Sequence, residues 1–158
     1  MSLQLFDERR RLSLMFDYVF GRGVSGALPK SGLKLVYSRK SGRVKEVLHD
    51  GKLFATVKTS GAIALSVYGA NKMVRSRAFL RNCVVVKDDA VEFVKEGKSV
   101  FCKYVDSAGR DVLPRSEVAV LDRGGRVIGV GRAIIAGRYM QQFYSGVAVK
   151  VRQGAGSS

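Results

Sequence analysis

The stretch "VKEGKSVFCKYV" (residues 94–105) decides how the second half of the chain folds. It begins as the end of a helix, turns at Gly97 and continues as an apolar strand. Just upstream, "DDAVEFVKEG" (88–97) supplies that helix. Asp89 and Glu92 have capping-box spacing, and Gly97 stands where a left-handed residue closes a helix. Downstream, "SVFCKYV" (99–105) reads as one continuous strand. Three lysines, Lys95, Lys98 and Lys103, surround the joint. On these residues alone two readings stand, a charged surface turn and a place that meets an anion.

Composition favours the anion. The chain has 158 residues, 46% apolar and 26% charged, which suits a folded domain or two small ones. No apolar run approaches the ~20 residues that cross a bilayer. Asp7 to Arg11 breaks the N-terminal apolar residues too early for a signal peptide. The expectation is a cytoplasmic protein without a membrane partner. Lys and Arg number 28 against 13 Asp and Glu, a net charge of +15 and a pI near 10.3. Such an excess attracts polyanions through counterion release and long-range steering. Nucleic acid ranks above an anionic membrane, because no strongly amphipathic basic helix carries the charge. Residues 1–78 carry a net +10 and residues 79–158 a net +5. The N-terminal half is therefore expected to share the contact.

The chain reads as two units. "DERRRLSLMFDYVF" (7–20) is expected to be a helix capped by Asp7, with Leu12, Met15, Phe16 and Val19 as its apolar stripe. Strands are expected at 33–38, 44–48, 52–58 and 62–68, with a short helix over 70–77. Asp50-Gly51 marks a tight hairpin, since both central residues of that turn need positive φ. The second unit begins near Asn82 with the strand "CVVV" (83–86), then the helix and strand already described. A hairpin follows from "EVAVLD" (117–122) through Gly124-Gly125 to "RVIGVGRAII" (126–135). A helical turn over 137–144 precedes a last strand, "GVAVKVR" (146–152), and the small polar tail "QGAGSS" is expected to be disordered. The expected fold is α+β: a small N-terminal α+β domain over 1–80, a mixed β-barrel over 81–153 and a disordered tail over 154–158.

Catalytic chemistry is hard to find. His49, the lone histidine, sits beside the Asp-Gly turn and is expected to be exposed there, with no nucleophile motif around it. Cys83 and Cys102 lie inside apolar strands and read as buried, reduced thiols; two thiols do not make a tetrahedral zinc site. "GRGVSG" (21–26) lacks the residues of a phosphate loop or a dinucleotide fingerprint. No cofactor and no metal are expected.

The order "FVKEGKSVFCKYV" (93–105), "EVAVLDRGGRVIGVGRA" (117–133) and "GVAVKVR" (146–152) resembles a PUA domain, the RNA-binding module of pseudouridine synthases and archaeosine transglycosylases. Upstream, "DYVFGRG" (17–23), "YSRKSGRVKEVLHDGKLFATV" (37–57) and "ALSVYGA" (64–70) are similar to the segment before the PUA domain in archaeal tRNA-guanine transglycosylases. Those enzymes exchange a guanine of tRNA for a precursor of archaeosine. The enzyme's catalytic barrel, aspartate nucleophile and zinc-binding cysteines are not found in this sequence. The resemblance therefore implies a non-enzymatic tRNA-binding accessory, either a separate subunit working with a transglycosylase catalytic subunit or a free RNA-binding protein. A second family, the malignant-T-cell-amplified translation factors, also pairs an N-terminal domain with a PUA domain. It implies a ribosome-associated role with protein partners. The "FGRG" and "SRKSGRV" segments favour the transglycosylase side.

In PUA domains RNA lies against the first helix, the joint after it, the following strand and the last strand. The resemblance thus selects Lys95, Gly97, Lys98, Ser99 and Lys103 at the joint, and Ala148, Lys150 and Arg152 on the last strand. Period-two spacing puts Val147, Val149 and Val151 on one face of that strand and Ala148, Lys150 and Arg152 on the other. An ordinary amphipathic strand with solvated ends is the competing reading. At Gly97, free N–H groups are expected to meet phosphate oxygens; a plain helix cap is the alternative. Arg39, Lys40 and Arg43 around the "SRKSGR" turn, and Arg9 to Arg11, are either RNA contacts or a solvated face. Arg132 is either a binding residue or a snorkelling one. Phe16, Phe93 and Phe101 are expected on core faces, which makes backbone and shape recognition of a folded RNA the expected mode rather than base stacking.

Overall fold

The computed structural model describes residues 3–156. Helix α1 (Leu3–Phe20) lies on a four-stranded antiparallel meander, β1 (Leu33–Tyr37), β2 (Val44–His49), β3 (Lys52–Val57) and β4 (Ile63–Leu65), in that spatial order. The helix starts upstream of Asp7, which sits inside it and does not cap it. Leu12, Phe16 and Phe20 form its buried stripe. The Phe16 ring meets Phe20 at 5.6 Å and Phe54 at 6.1 Å, and Phe20 meets Phe79 edge-on at 5.4 Å. Truncating one such core phenylalanine to alanine costs ~3–5 kcal/mol. Asp50 and Gly51 both take positive φ, 50° and 82°, and close the β2–β3 hairpin as the sequence predicts. Helix α2 (Val67–Met73) is capped by Ser66, whose Oγ accepts from the Gly69 N–H at 2.9 Å.

His49 departs from expectation. It is buried, with Nδ1 2.6 Å from the Tyr68 hydroxyl and its ring stacked on Tyr68 at 5.8 Å. The turn itself is exposed, but the last strand position before it faces the core.

The second unit is a six-stranded, nearly closed barrel. Its strands are β5 (Cys83–Val86), β6 (Val100–Phe101), β7 (Val105–Ala108), β8 (Glu117–Leu121), β9 (Val127–Ala133) and β10 (Val147–Gly154). Their order is β6-β10-β9-β8-β5-β7, antiparallel except for β5 with β8. The expected strand over 99–105 is broken: β6 stops at Phe101, a 3-10 turn spans Cys102–Tyr104, and β7 begins at Val105. That break is what closes the barrel, because β6 and β7 are the two edges of the sheet. The Cys102 N–H donates to the Gly146 carbonyl at 2.9 Å and fixes the corner.

Two helical expectations and the expectation of a disordered tail need correction. The segment 88–97 is a 3-10 turn (Asp88–Ala90) followed by α3 (Val91–Lys95), and no capping-box hydrogen bond forms. The turn near residue 137 is only α4 (Gly137–Met140). The tail is held as far as Gly156: Gln153 and Gly154 belong to β10, the Ala155 N–H donates to Ile128 at 2.8 Å and the Gly156 N–H to Lys95 at 2.9 Å. Ser157 and Ser158 lie outside the described residues.

The two units share a core. One hydrophobic cluster joins Phe16, Phe54 and Phe79 to Cys83, Ala119 and Val130 of the barrel. A second cluster, around Val86, Val94, Ile128 and Val149, fills the barrel. Cys83 and Cys102 are free and buried. Burial pushes the Cys83 thiol up to about 12 and the Cys102 thiol above its ordinary value.

Candidate nucleic-acid interface

The joint after α3 is a Schellman cap. Gly97 has φ +92°, its N–H donates to Val94 at 2.9 Å, and the Lys98 N–H donates to Phe93 at 3.0 Å. Glycine is required there because an L side chain is strained at that φ. Both N–H groups close the helix, so neither is open to a phosphate oxygen, contrary to expectation.

What the joint does present is a groove of about 500 Å³ between α3, β6 and the loop before β10. Its walls are aromatic: Phe93, Phe101, Tyr104 and Tyr144. Phe93 is 50% exposed, Phe101 46% and Tyr144 85%. The expectation that Phe93 and Phe101 sit on core faces is therefore overturned. Around α3 the core is served by Ala90, at the end of the 3-10 turn, and Val94, and Phe93 falls beside that stripe. In "VFC", Val100 and Cys102 point inward, and alternation sends Phe101 outward. That alternation was the signal in the sequence for an exposed ring.

Cations rim the groove. The Lys98 Nζ lies 5.3 Å from the Phe93 ring centre, and the Lys103 Nζ 5.1 Å from that of Tyr104. Ser99 lines the groove between them. Rings for stacking beside ammonium groups for phosphates are what an unpaired nucleotide needs. Lys95 does not line the groove and lies 3.8 Å from Glu92; Lys98 also holds an exposed ion pair, 3.4 Å from Glu96. Lys150 is exposed on β10, one residue past the Val149–Val100 pair and so beside Ser99.

Two predicted contacts on the last strand face elsewhere. Ala148 is fully buried. A bulge between Val147 and Val149, which pair with the adjacent residues Phe101 and Val100, adds one residue and turns Ala148 inward. Arg152 is held within the barrel by Glu117, Nη1 to Oε2 at 2.7 Å, and reaches the other unit through Nη2, which donates to the Leu65 carbonyl at 2.7 Å.

On the N-terminal unit, Arg39, Lys40 and Arg43 are exposed in the β1–β2 loop. Of these, Arg43 lines a second groove of about 660 Å³, together with Arg11, Lys45 and Lys58 above Met15 and Val57. Arg132 is exposed on β9 and faces Lys150 across the ladder. No group of metal-ligating side chains occurs among the described residues, and none of their helices is long and apolar enough to cross a membrane.

Residues 82–155 match the PUA domain, and residues 10–79 match the patch-forming domain C2 of tRNA-guanine transglycosylase. A tRNA-guanine(15) transglycosylase of Thermococcus onnurineus is 34% identical over 92% of this chain, and that of Methanobrevibacter smithii is 31% identical over 94%. The chain spans about a quarter of the length of these relatives, 25% and 23%. Among solved structures, a hypothetical protein of Pyrococcus horikoshii superposes with a TM-score of 0.72 at 21% identity, covering 94% of this chain and 90% of that one. A conserved PUA domain protein of Thermoplasma acidophilum gives 0.68 at 20%, covering 96% and 91%. At that identity the two structures speak to the fold, an α+β unit ahead of a PUA barrel. The chain is a homologue of the C-terminal part of tRNA-guanine(15) transglycosylases, a patch-forming C2 domain followed by a PUA domain.

Proposed function

We propose that this protein binds tRNA and holds it for a tRNA-guanine transglycosylase catalytic unit, without performing base exchange itself. The observation that carries the reading is the aromatic groove at the α3–β6 joint, rimmed by Lys98 and Lys103, in a chain of net charge +15. Unpaired nucleotides stack on Phe93, Phe101 and Tyr144, while Lys98, Lys103 and Lys150 neutralise the backbone. Backbone and shape contacts from the N-terminal unit, through Arg39, Lys40 and Arg43, add affinity for a folded RNA. Kinship with tRNA-guanine(15) transglycosylases makes tRNA the first RNA to test.

The test is a titration of an unmodified tRNA transcript with the parent protein and with Lys98→Ala/Lys103→Ala. Binding by the parent should weaken steeply with salt, and the double variant should bind more weakly with a shallower salt slope, by about two phosphates. A parent that ignores tRNA, or a folded double variant that binds like the parent, overturns the reading. Labelled guanine incorporated into tRNA by the purified chain alone would overturn the non-catalytic half of it.

A further inference from the structure

Glu117 opens β8, a strand buried along its whole length, and its side chain is only 5% exposed. It is the one buried carboxylate among the described residues. Its two oxygens hold two cations from two different units. Oε1 takes the Lys58 Nζ of the N-terminal unit at 2.6 Å, and Oε2 takes the Arg152 Nη1 of the barrel at 2.7 Å. Arg152 then crosses the junction itself through the Leu65 carbonyl. A second bridge runs beside it, from the Val67 N–H to Gln153 Oε1 at 3.0 Å. Burying a charge is costly, and the two cations at hydrogen-bond distance offset that cost here while tying Glu117 to both units.

The geometry matters because of what lies on either side. Lys58 lines the N-terminal groove with Arg11, Arg43 and Lys45. On the barrel, Glu117 faces Arg132 across β8–β9, and Arg132 faces Lys150 across β9–β10. Lys150 in turn lies beside the joint groove. A basic tract thus runs from the N-terminal groove to the aromatic groove, with Glu117 at its hinge point.

Resting on the RNA-binding reading above, we infer that Glu117 is a positioning residue: it fixes the N-terminal groove against the barrel so that both contact one folded RNA at a set spacing. Two contacts held in register bind a ligand that spans both more tightly than the same contacts on a loose joint. A short strand that reaches only the barrel groove gains nothing from the register.

The test measures the affinities of the parent, Glu117→Gln and Gln153→Ala for an unmodified tRNA transcript and for a single-stranded oligoribonucleotide of about six residues. Melting temperatures are recorded alongside, and binding is read well below them. Gln153→Ala loosens the junction without changing charge and lines neither groove, so it serves even if Glu117→Gln folds poorly. Both variants should lose about tenfold or more in tRNA affinity and keep the parent's affinity for the oligoribonucleotide. A lowered melting temperature with both affinities unchanged would make Glu117 merely structural and overturn the inference. Tighter binding of both RNAs by Glu117→Gln would show only the effect of added positive charge, and would overturn it too. A parent that binds neither RNA removes the RNA reading, and the inference with it.

Discussion

Phe101→Leu isolates the stacking role of the joint groove. Phe101 is 46% exposed at the edge of the barrel, so about half of its ring already meets water. Fully burying a phenylalanine is worth ~1.5–3 kcal/mol, and leucine keeps much of what Phe101 buries. The variant should therefore lose no more than about 1 kcal/mol of stability. Losing a base–aromatic stack costs ~1–3 kcal/mol, or about 5- to 150-fold in affinity. Because the ring carries no charge, the slope of log affinity against log salt should stay at the parent value, whereas Lys98→Ala should lower it by about one. Fluorescence anisotropy with labelled tRNA across a salt series, with thermal melts in parallel, measures all three quantities. Affinity within about twofold of the parent, on a folded Phe101→Leu, would refute stacking in this groove; so would a loss accompanied by a change in salt slope.

Gly97→Ala should lower stability by about 1 kcal/mol, because φ is +92° there, yet leave tRNA affinity nearly unchanged, since a Cβ would meet nothing within 4 Å and both N–H groups of the cap already serve the helix; melts and anisotropy on the same sample separate the two. Gly154→Ala should destabilise by ~1–3 kcal/mol, because its Cβ would press on the Lys95 and Val94 carbonyls, and denaturant unfolding measures it. Cys83 makes stability pH-dependent on the alkaline side: its folded value is raised to about 12 from 9.0, so the neutral thiol favours the fold below pH 9, and that contribution is lost as pH rises toward 12. Urea unfolding of the parent should show a steeper loss above pH 9 than Cys83→Ala, by up to about 1.4 kcal/mol per pH unit.

The features legible in the sequence were local. Asp50-Gly51 announces its hairpin because a two-residue turn with positive φ admits few residues, and Gly97 announces its helix end for the same reason. The two cysteines read as buried because each sits among β-branched or aromatic neighbours in a short apolar run. Features set by distant partners were hidden. The break after Phe101 answers to barrel closure, a property of six strands together. Ala148 turns inward because a bulge against β6 breaks the alternation that period-two counting assumes. His49 is buried by Tyr68, 19 residues on, and Arg152 is claimed by Glu117 and Leu65, 35 and 87 residues away. The tail looked too small and polar to order, but two glycines let it lie against the Lys95 carbonyl, where no side chain would fit. At the candidate interface, the joint and its lysines are legible in the sequence, and their contact with RNA is the proposal made above. The rings between them face outward, against expectation, because in elements this short a large apolar residue does not itself reveal which face it takes.

Ultraviolet crosslinking of the protein to an unmodified tRNA, followed by mass-spectrometric mapping of the crosslinked residues, tests the central claim most directly. Rings stacked on bases are the groups that should react. The crosslinks should fall on Phe93, Phe101 or Tyr144, and Phe101→Leu should remove those at position 101. Efficient crosslinks confined to other surfaces, with the three rings unmodified, would contradict the assignment of the α3–β6 groove as the RNA site.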